Sequence, residues 1–219
     1  MGFEEVLLPS NRGASVTIYD LVLHPVDFRQ HQFTRVTAKF LRELLDQENR
    51  EIEQLIQNYI EEKNDDPRLT APSFREAIYR FLHSRVSLEH APLLRRLLDF
   101  EMDWRRAYWS GAKSLADDGS DDYTDSLYWC GLLLHRAGRL EDVLPMWAAK
   151  RMDFDTGCGF DVQFLVGAGV DATLDYLRDI DSPEAQDAWK SLLHYKQAGF
   201  FDNLDVWLED WIAYYLDED

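Results

Sequence analysis

Apolar residues recur every three or four positions through the first half of the chain, as they do along one face of an α-helix. Prolines and polar clusters divide this pattern, above all the run from Lys63 to Pro67 and the Pro72-Ser73 pair. The spacing predicts four helices, over residues 27–46, 52–60 and 72–82 and from residue 88 or 92 to 109. Ahead of them, Val16, Ile18, Leu21 and Leu23 are compatible with a short extended segment.

The second half of the chain repeats a dipeptide. Ala137-Gly138, Ala168-Gly169 and Ala198-Gly199 stand 31 and 30 residues apart, and an aliphatic residue follows each glycine by five positions. Glycine readily takes the left-handed conformation that ends a helix, and a period of about thirty residues is typical of helical arrays. We predict an all-α fold in which an N-terminal helical region (1–116) packs on a C-terminal stack of about three α-hairpins (117–219), together forming one compact unit. Three independent helix caps are the alternative.

The acidic residues are concentrated in the second half. The formal net charge is −18, with 16 Lys or Arg against 18 Asp or Glu up to residue 115, and 7 against 23 after it. Nineteen of those 23 acids are Asp, which favours caps and turns over helix interiors, so we expect many of them in loops. Such a surface repels nucleic acid and anionic lipid and attracts a basic protein partner. Solubility alone is the other interpretation.

The composition is that of a globular protein, with 46% hydrophobic and 13% aromatic residues. The sequence has no signal-peptide pattern and no apolar run of the roughly 18 residues that a membrane span needs, so we expect a cytoplasmic location. Cys130 and Cys158 are too few for a disulfide framework. Both are expected to be packed thiols.

The segment 123–155 has small and apolar residues in the order of a two-helix repeat unit: Gly131, Leu134, Gly138-Arg139-Leu140 and Trp147. With them it resembles a hairpin of the tetratricopeptide type, in which Gly131 lies where the two helices cross and Gly138 lies at the turn. Val143 stands where that family usually has a small residue and Lys150 where it usually has Ala, and the closing Pro is missing. The resemblance covers this one hairpin.

Several apparent chemical motifs in residues 153–164 each lack an essential part. Asp155-Thr156-Gly157 spells the aspartic-protease triplet, but that chemistry needs two such loops and the chain has one. Asp153, Asp155 and Gly157 imitate a calcium loop, yet Cys158 and Phe164 replace its required Gly and Glu. No histidine is tied to Cys158 by a local signature, and no zinc spacing or phosphate loop occurs. We therefore expect no cofactor, no metal site and no catalytic residue.

An acidic, aromatic-rich, all-helical chain of this size is similar to the immunity proteins that neutralise polymorphic or contact-dependent bacterial toxins. This similarity is one of type. It implies a non-catalytic protein whose acidic half docks over a basic toxin domain, such as a nuclease, and occludes its active site. A tetratricopeptide-like adaptor that binds peptides is one alternative. A cation-dependent hydrolase that uses Asp153, Asp155, Asp117 or Asp121 is another.

The candidate partner-binding residues are acidic residues of two loops and two tryptophans of the last helix: Asp117, Asp118, Asp121, Asp122, Asp153, Asp155, Asp161, Trp207 and Trp211. In the functional interpretation, Asp153 and Asp155 project between repeats to receive Lys or Arg. In the structural one, the loop carboxylates shape the chain, with Asp161 or Thr156 as the N-cap of the next helix. The tryptophans are either interface anchors or core packing.

Overall fold

The structure, a computed structural model, describes residues 30–111 and 125–216, with side chains for Lys39 and for residues 42–111 and 125–215. This part of the chain is all-helical, as predicted, and contains no strand. Its helices are α1 (Gln30–Glu62), α2 (Pro72–Leu82), α3 (Ala91–Trp109), α4 (Ser126–Ala137), α5 (Val143–Lys150), α6 (Phe154–Gly159), α7 (Val170–Arg178), α8 (Pro183–Gln197) and α9 (Leu204–Leu216). None of them is both long enough and apolar enough to cross a membrane. The predicted extended segment at 16–23 and the acidic loop at 117–122 lie outside the described residues.

The first two predicted helices are one helix. α1 continues through residues 46–52, so the predicted separation there is wrong. This interval is polar but contains neither Gly nor Pro, and Gln47 Nε2 donates to Glu51 Oε1, one turn further on, at 3.1 Å. The predicted end of the pattern is confirmed, because α1 stops at Glu62 and Lys63 takes a left-handed backbone with φ of 55°.

Proline marks the starts of α2 and α3, as predicted. Pro72 is the first residue of α2 and Pro92 the second of α3, where the missing amide hydrogen costs no helical bond.

Between α2 and α3 lies a buried ion pair. Arg75 Nε donates to Glu101 Oε1 at 2.7 Å, and both side chains are only 1% exposed. Tyr79 Oη donates to the same carboxylate oxygen at 2.8 Å.

Helix α4 occupies the centre of the fold. It packs against α2 and α3 and also against the 3-10 turn at Val162–Val166. It is therefore buried around its whole circumference, and its buried apolar residues are Leu127, Trp129, Cys130, Gly131, Leu132, Leu133, Leu134 and Ala137. One cluster of buried apolar side chains extends from Ile52 of α1 to Tyr215 of α9 and so includes residues of both predicted regions.

The three Ala-Gly pairs lie at turns, but the chain around them differs from one to the next. Gly138 (φ 70°) ends α4, and Gly199 (φ 80°) follows the end of α8, both in the left-handed region as predicted. Gly169 (φ 101°) instead follows the 3-10 turn and comes directly before α7. The last two helices before α9, α7 and α8, pack on each other across the connection 179–182, away from any Ala-Gly pair. A stack of three α-hairpins is therefore not confirmed.

Two of the repeated segments contact each other through their backbones. A Cβ at Gly167 would lie 2.0 Å from the carbonyl oxygen of His135, and one at Gly138 would lie 3.3 Å from the carbonyl oxygen of Gly167. The end of α4 and the segment before α7 can meet this closely only because residue 167 has no side chain. The imidazole Nδ1 of His135 adds a contact of 3.3 Å to the carbonyl oxygen of Phe164.

Two residues of the tetratricopeptide resemblance have contacts that the family pattern does not imply. Gly131 faces the ring of Phe160, where a Cβ would lie 2.7 Å from Cζ, and not a crossing with the second helix of the hairpin. Lys150, which departs from the pattern, is buried at the end of α5. Its Nζ donates to the carbonyl oxygens of Gly157 (2.9 Å) and Phe160 (2.7 Å), so it attaches α6 to α5.

Candidate functional site

The loop between α5 and α6 is organised by a capping box. Asp153 is the N-cap of α6, because its Oδ1 accepts from the backbone N–H of Thr156 at 2.8 Å. The hydroxyl Oγ1 of Thr156 accepts in return from the backbone N–H of Asp153 at 3.0 Å. Neither predicted N-cap residue caps α6, because Thr156 is the reciprocal partner of the cap. Asp161 lies beyond the end of α6 and is the N-cap residue of the 3-10 turn Val162–Val166, although its side chain makes no cap hydrogen bond there.

Arg105 of α3 reaches the same carboxylate from the other side. Its Nε donates to Asp153 Oδ2 at 2.8 Å, and its Nη2 lies 3.6 Å from Asp155 Oδ2. Partial burial acts to raise the pKa of Asp153, but the hydrogen bonds from Arg105 and Thr156 outweigh it, and this pKa lies below its usual value. Asp153 thus has a cation within the chain, whereas the side chain of Asp155 is 53% exposed.

Asp161 binds both of the predicted tryptophans. Its Oδ2 accepts from Trp207 Nε1 and from Trp211 Nε1, each at 2.8 Å. Both indole rings also pack on Phe164, with centroid separations of 5.1 Å. Sequence analysis proposed these three residues as partner contacts, and the structure brings them together in bonds that attach α9 to the segment 161–166.

The opposite face of α9 is acidic. Asp205, Glu209 and Asp210 are exposed and make no ion pair or hydrogen bond within the described part of the chain. Val206 (57% exposed) lies among them, whereas Tyr214 (47% exposed) lies one turn after Asp210, on the side of the helix that carries Trp211. No Lys or Arg follows Lys196 in the sequence, so α9 has no cation of its own.

Other exposed carboxylates of the second half have cations close by. Lys196 pairs with Asp171, and Arg178 lies 2.9 Å from Asp175 and 3.9 Å from Asp179. Asp181, Glu184 and Asp202 lack such a partner within the described residues. No large apolar side chain is exposed near the first two in the sequence, whereas Phe200 (51% exposed) lies near Asp202 as a single side chain. The α9 face therefore combines two properties, carboxylates without a cation and exposed apolar side chains.

A groove of about 390 Å³ borders this face. It is lined by residues of α4, α6 and α9 and by the residue before α4: Asp125, Tyr128, Gly159, Asp210, Trp211 and Tyr214. Tyr214 Oη donates to Asp125 Oδ2 at 2.9 Å. A Cβ at Gly159 would lie 2.8 Å from Tyr128 Oη, so the phenol can occupy this wall only because residue 159 is Gly.

Carboxylates surround the phenol of Tyr128. Burial raises its pKa, Arg105 acts in the opposite direction, and the negative charges of Asp125, Asp153 and Asp155 add to the rise. The groove and the predicted inter-repeat acids therefore share one electrostatic environment. Asp125, Tyr128 and Asp210 are not among the residues predicted from the sequence. The absence of Lys and Arg after Lys196 is the signal that could have pointed to α9.

Asp117, Asp118, Asp121 and Asp122 lie outside the described residues. Cys130 is buried, as expected, but Cys158 is exposed, so its predicted packing is wrong: in the short helix α6 only Thr156 is buried. Within residues 30–111 and 125–216, no group of three or more His, Cys, Asp or Glu is arranged to hold a metal ion.

No protein-family model matches this chain, and searches of curated proteins and of solved structures find no similar protein. The charges, exposure and contacts described above are therefore the basis for assigning a function.

Proposed function

We propose that this chain is a non-catalytic acidic protein that acts in the cytoplasm and neutralises a basic toxin domain by docking its C-terminal half over it. The observation that carries the proposal is the outward face of α9. Asp205, Glu209 and Asp210 have no counter-charge there within the described residues, Val206 is exposed among them, and Tyr214 is exposed one turn after Asp210. Unpaired carboxylates attract and orient a basic partner, while the apolar side chains supply contact area.

A nuclease-type domain fits this surface by its charge. Proteins that bind nucleic acid hold the phosphates with Lys and Arg, and an acidic protein face competes for the same cations. A chain docked on those cations would cover the site that binds the nucleic acid. The proposed surface also includes the exposed Asp155. The predicted partner residues at 117–122 lie outside the described part of the chain and belong to the proposal by their charge alone.

In this proposal the other predicted residues support the surface. Asp153 holds the start of α6, and Asp161, Trp207 and Trp211 hold α9. A cation-dependent hydrolase is less compatible with these contacts. Arg105 already lies against both Asp153 and Asp155, where its guanidinium opposes the approach of a metal ion.

Co-expression tests the proposal. The proposal expects the gene immediately upstream to encode a large secreted protein with a basic C-terminal domain. Cells that make this domain together with the present chain should survive. A variant with Asp205→Asn, Glu209→Gln and Asp210→Asn should lose protection, because the attraction for the basic domain is removed. If cells die equally fast with and without the wild-type chain, or if the upstream gene encodes no such protein, the proposal is wrong.

A matched control separates the face from the total charge. Asp171→Asn, Asp175→Asn and Asp179→Asn together remove the same three charges, but these carboxylates pair with Lys196 or Arg178. This variant should still protect. Equal loss of protection in both variants would mean that total charge matters and that the α9 face does not.

A further inference from the structure

We propose that the groove between α4, α6 and α9 binds the guanidinium group of an arginine side chain from the partner. This inference rests on the proposed function and names the chemistry by which the partner is recognised. The groove is lined by three aromatic residues, Tyr128, Trp211 and Tyr214, and by two carboxylates, Asp125 and Asp210. Its volume of about 390 Å³ lies within the range of pockets that enclose small ligands.

The aromatic walls suit a flat cation. The rings of Trp211 and Tyr214 meet nearly edge to face, with centroids 5.8 Å apart and planes at 75°. A guanidinium can therefore stack on one ring while its edge faces the other. Gly159 contributes no side chain to the groove, and even one methyl group there would collide with Tyr128 Oη.

The two carboxylates provide the charge. Asp210 has no hydrogen bond or ion pair within the described residues, so it is available to an incoming cation. Asp125 is held in place: Tyr214 Oη donates to its Oδ2 at 2.9 Å, and Tyr215 Oη donates to its carbonyl oxygen at 3.2 Å. Arginine fits better than lysine, since its planar fork can stack on a ring and bond to a carboxylate at the same time.

No cation of the described chain occupies this position. Neither Lys nor Arg is among the lining residues. Arg105, whose charge acts on Tyr128, donates to Asp153 Oδ2 at 2.8 Å. No Lys or Arg of the described residues therefore neutralises Asp210, and its carboxylate can bind a cation supplied by the partner.

Titration with single amino-acid amides tests the site by nuclear magnetic resonance. N-acetyl-argininamide should produce a saturable shift of the Trp211 indole N–H resonance in the full chain. N-acetyl-citrullinamide, which has the same shape without the charge, should not. Asp210→Asn should weaken the binding of the arginine compound by at least about threefold. The matched control Asp181→Asn removes the charge of another exposed carboxylate without a cation, at a distance from the groove in the sequence, and should bind like the wild type.

Three results would overturn the inference: an equal shift with the citrulline compound, equal affinity of the Asp210→Asn variant, or equal affinity for N-acetyl-lysinamide. These results are separate from those of co-expression. Arginine binding without protection against the toxin would refute the proposed function alone. Protection that survives in a chain with no arginine binding would refute the groove alone.

Discussion

The Arg75–Glu101 pair places two opposite charges where both side chains are 1% exposed. Each charge is stable there because the other is present, so removal of one leaves the other without compensation. Glu101→Gln should lower the free energy of unfolding by about 3–5 kcal/mol, measured by urea denaturation. Asp103→Asn, on the exposed side of the same helix, removes the partner of Arg106 and should cost less than about 1 kcal/mol. Similar losses in the two variants would contradict the special role of the buried pair.

A substitution at Gly167 tests whether the end of α4 and the segment before α7 must lie as close together as they do. Its backbone has an ordinary φ of −59°, so the only obstacle to a side chain is the contact of 2.0 Å between a Cβ and the His135 carbonyl oxygen. Gly167→Ala should therefore destabilise the protein by about 1–3 kcal/mol, because backbone atoms have to move apart. Gly157→Ala is the control, since its Cβ would have no neighbour nearer than 3.9 Å. A stable Gly167→Ala variant would show that these segments separate easily.

The helix ends that the sequence predicts correctly are set by residues that restrict the local backbone. Pro72, the polar run after Glu62 and Gly138 each restrict the local chain, and each lies at a helix end in the structure. The roles of Asp153 and Asp161 were out of reach for the opposite reason. Their partners lie far away in the sequence, at 48 residues for Arg105 and 46 for Trp207. A local pattern shows that such a carboxylate is present but not which donor it meets.

At the scale of elements, one carboxylate accepts both of the indole hydrogen bonds that attach α9 to the segment 161–166. Asp161→Asn would remove the charge that accepts from both indoles, and hydrogen bonds to charged groups contribute about 1.5–3 kcal/mol each. We expect faster amide hydrogen exchange throughout α9, measured by mass spectrometry on peptides from this helix. Asp205→Asn, on the outward face of the same helix, should leave the exchange unchanged. Unchanged exchange in the Asp161→Asn variant would mean that aromatic packing alone holds the helix.

The elements also show where periodicity is insufficient. Hydrophobic spacing predicted α2 and α3, but it divided α1, because a polar interval resembles a break when only the buried face is followed. The regular spacing of the Ala-Gly pairs suggested equal hairpins. The chain before Gly169 forms instead the short helix α6 and a 3-10 turn, and the buried rings of Phe160 and Phe164 lie beside Gly131 of α4. Tertiary packing decided the shape of this segment, and a sequence period contains no information on it.

At the scale of the whole molecule, the net charge of −18 affects the stability of the folded chain. Repulsion among like charges opposes folding, and salt screens it. Sodium chloride should therefore raise the midpoint of thermal unfolding, by roughly 2–4 °C for each 1 kcal/mol of repulsion removed. The variant with Asp205→Asn, Glu209→Gln and Asp210→Asn should unfold at a higher temperature in low salt and respond less to it. A midpoint that falls with salt would mean that the ion pairs outweigh the repulsion.

The single oxygen of Asp161 that accepts from Trp207 and Trp211 also gives the molecule an optical property. Both indoles lose this acceptor together when α9 leaves the segment 161–166, and an indole that becomes surrounded by water emits at longer wavelength. Movement of the helix is thereby coupled to the colour of the intrinsic fluorescence. A partner that binds the outer face and leaves α9 in place would not change the emission wavelength. A partner that displaces the helix would shift the emission to longer wavelength, so its binding could be detected without a label.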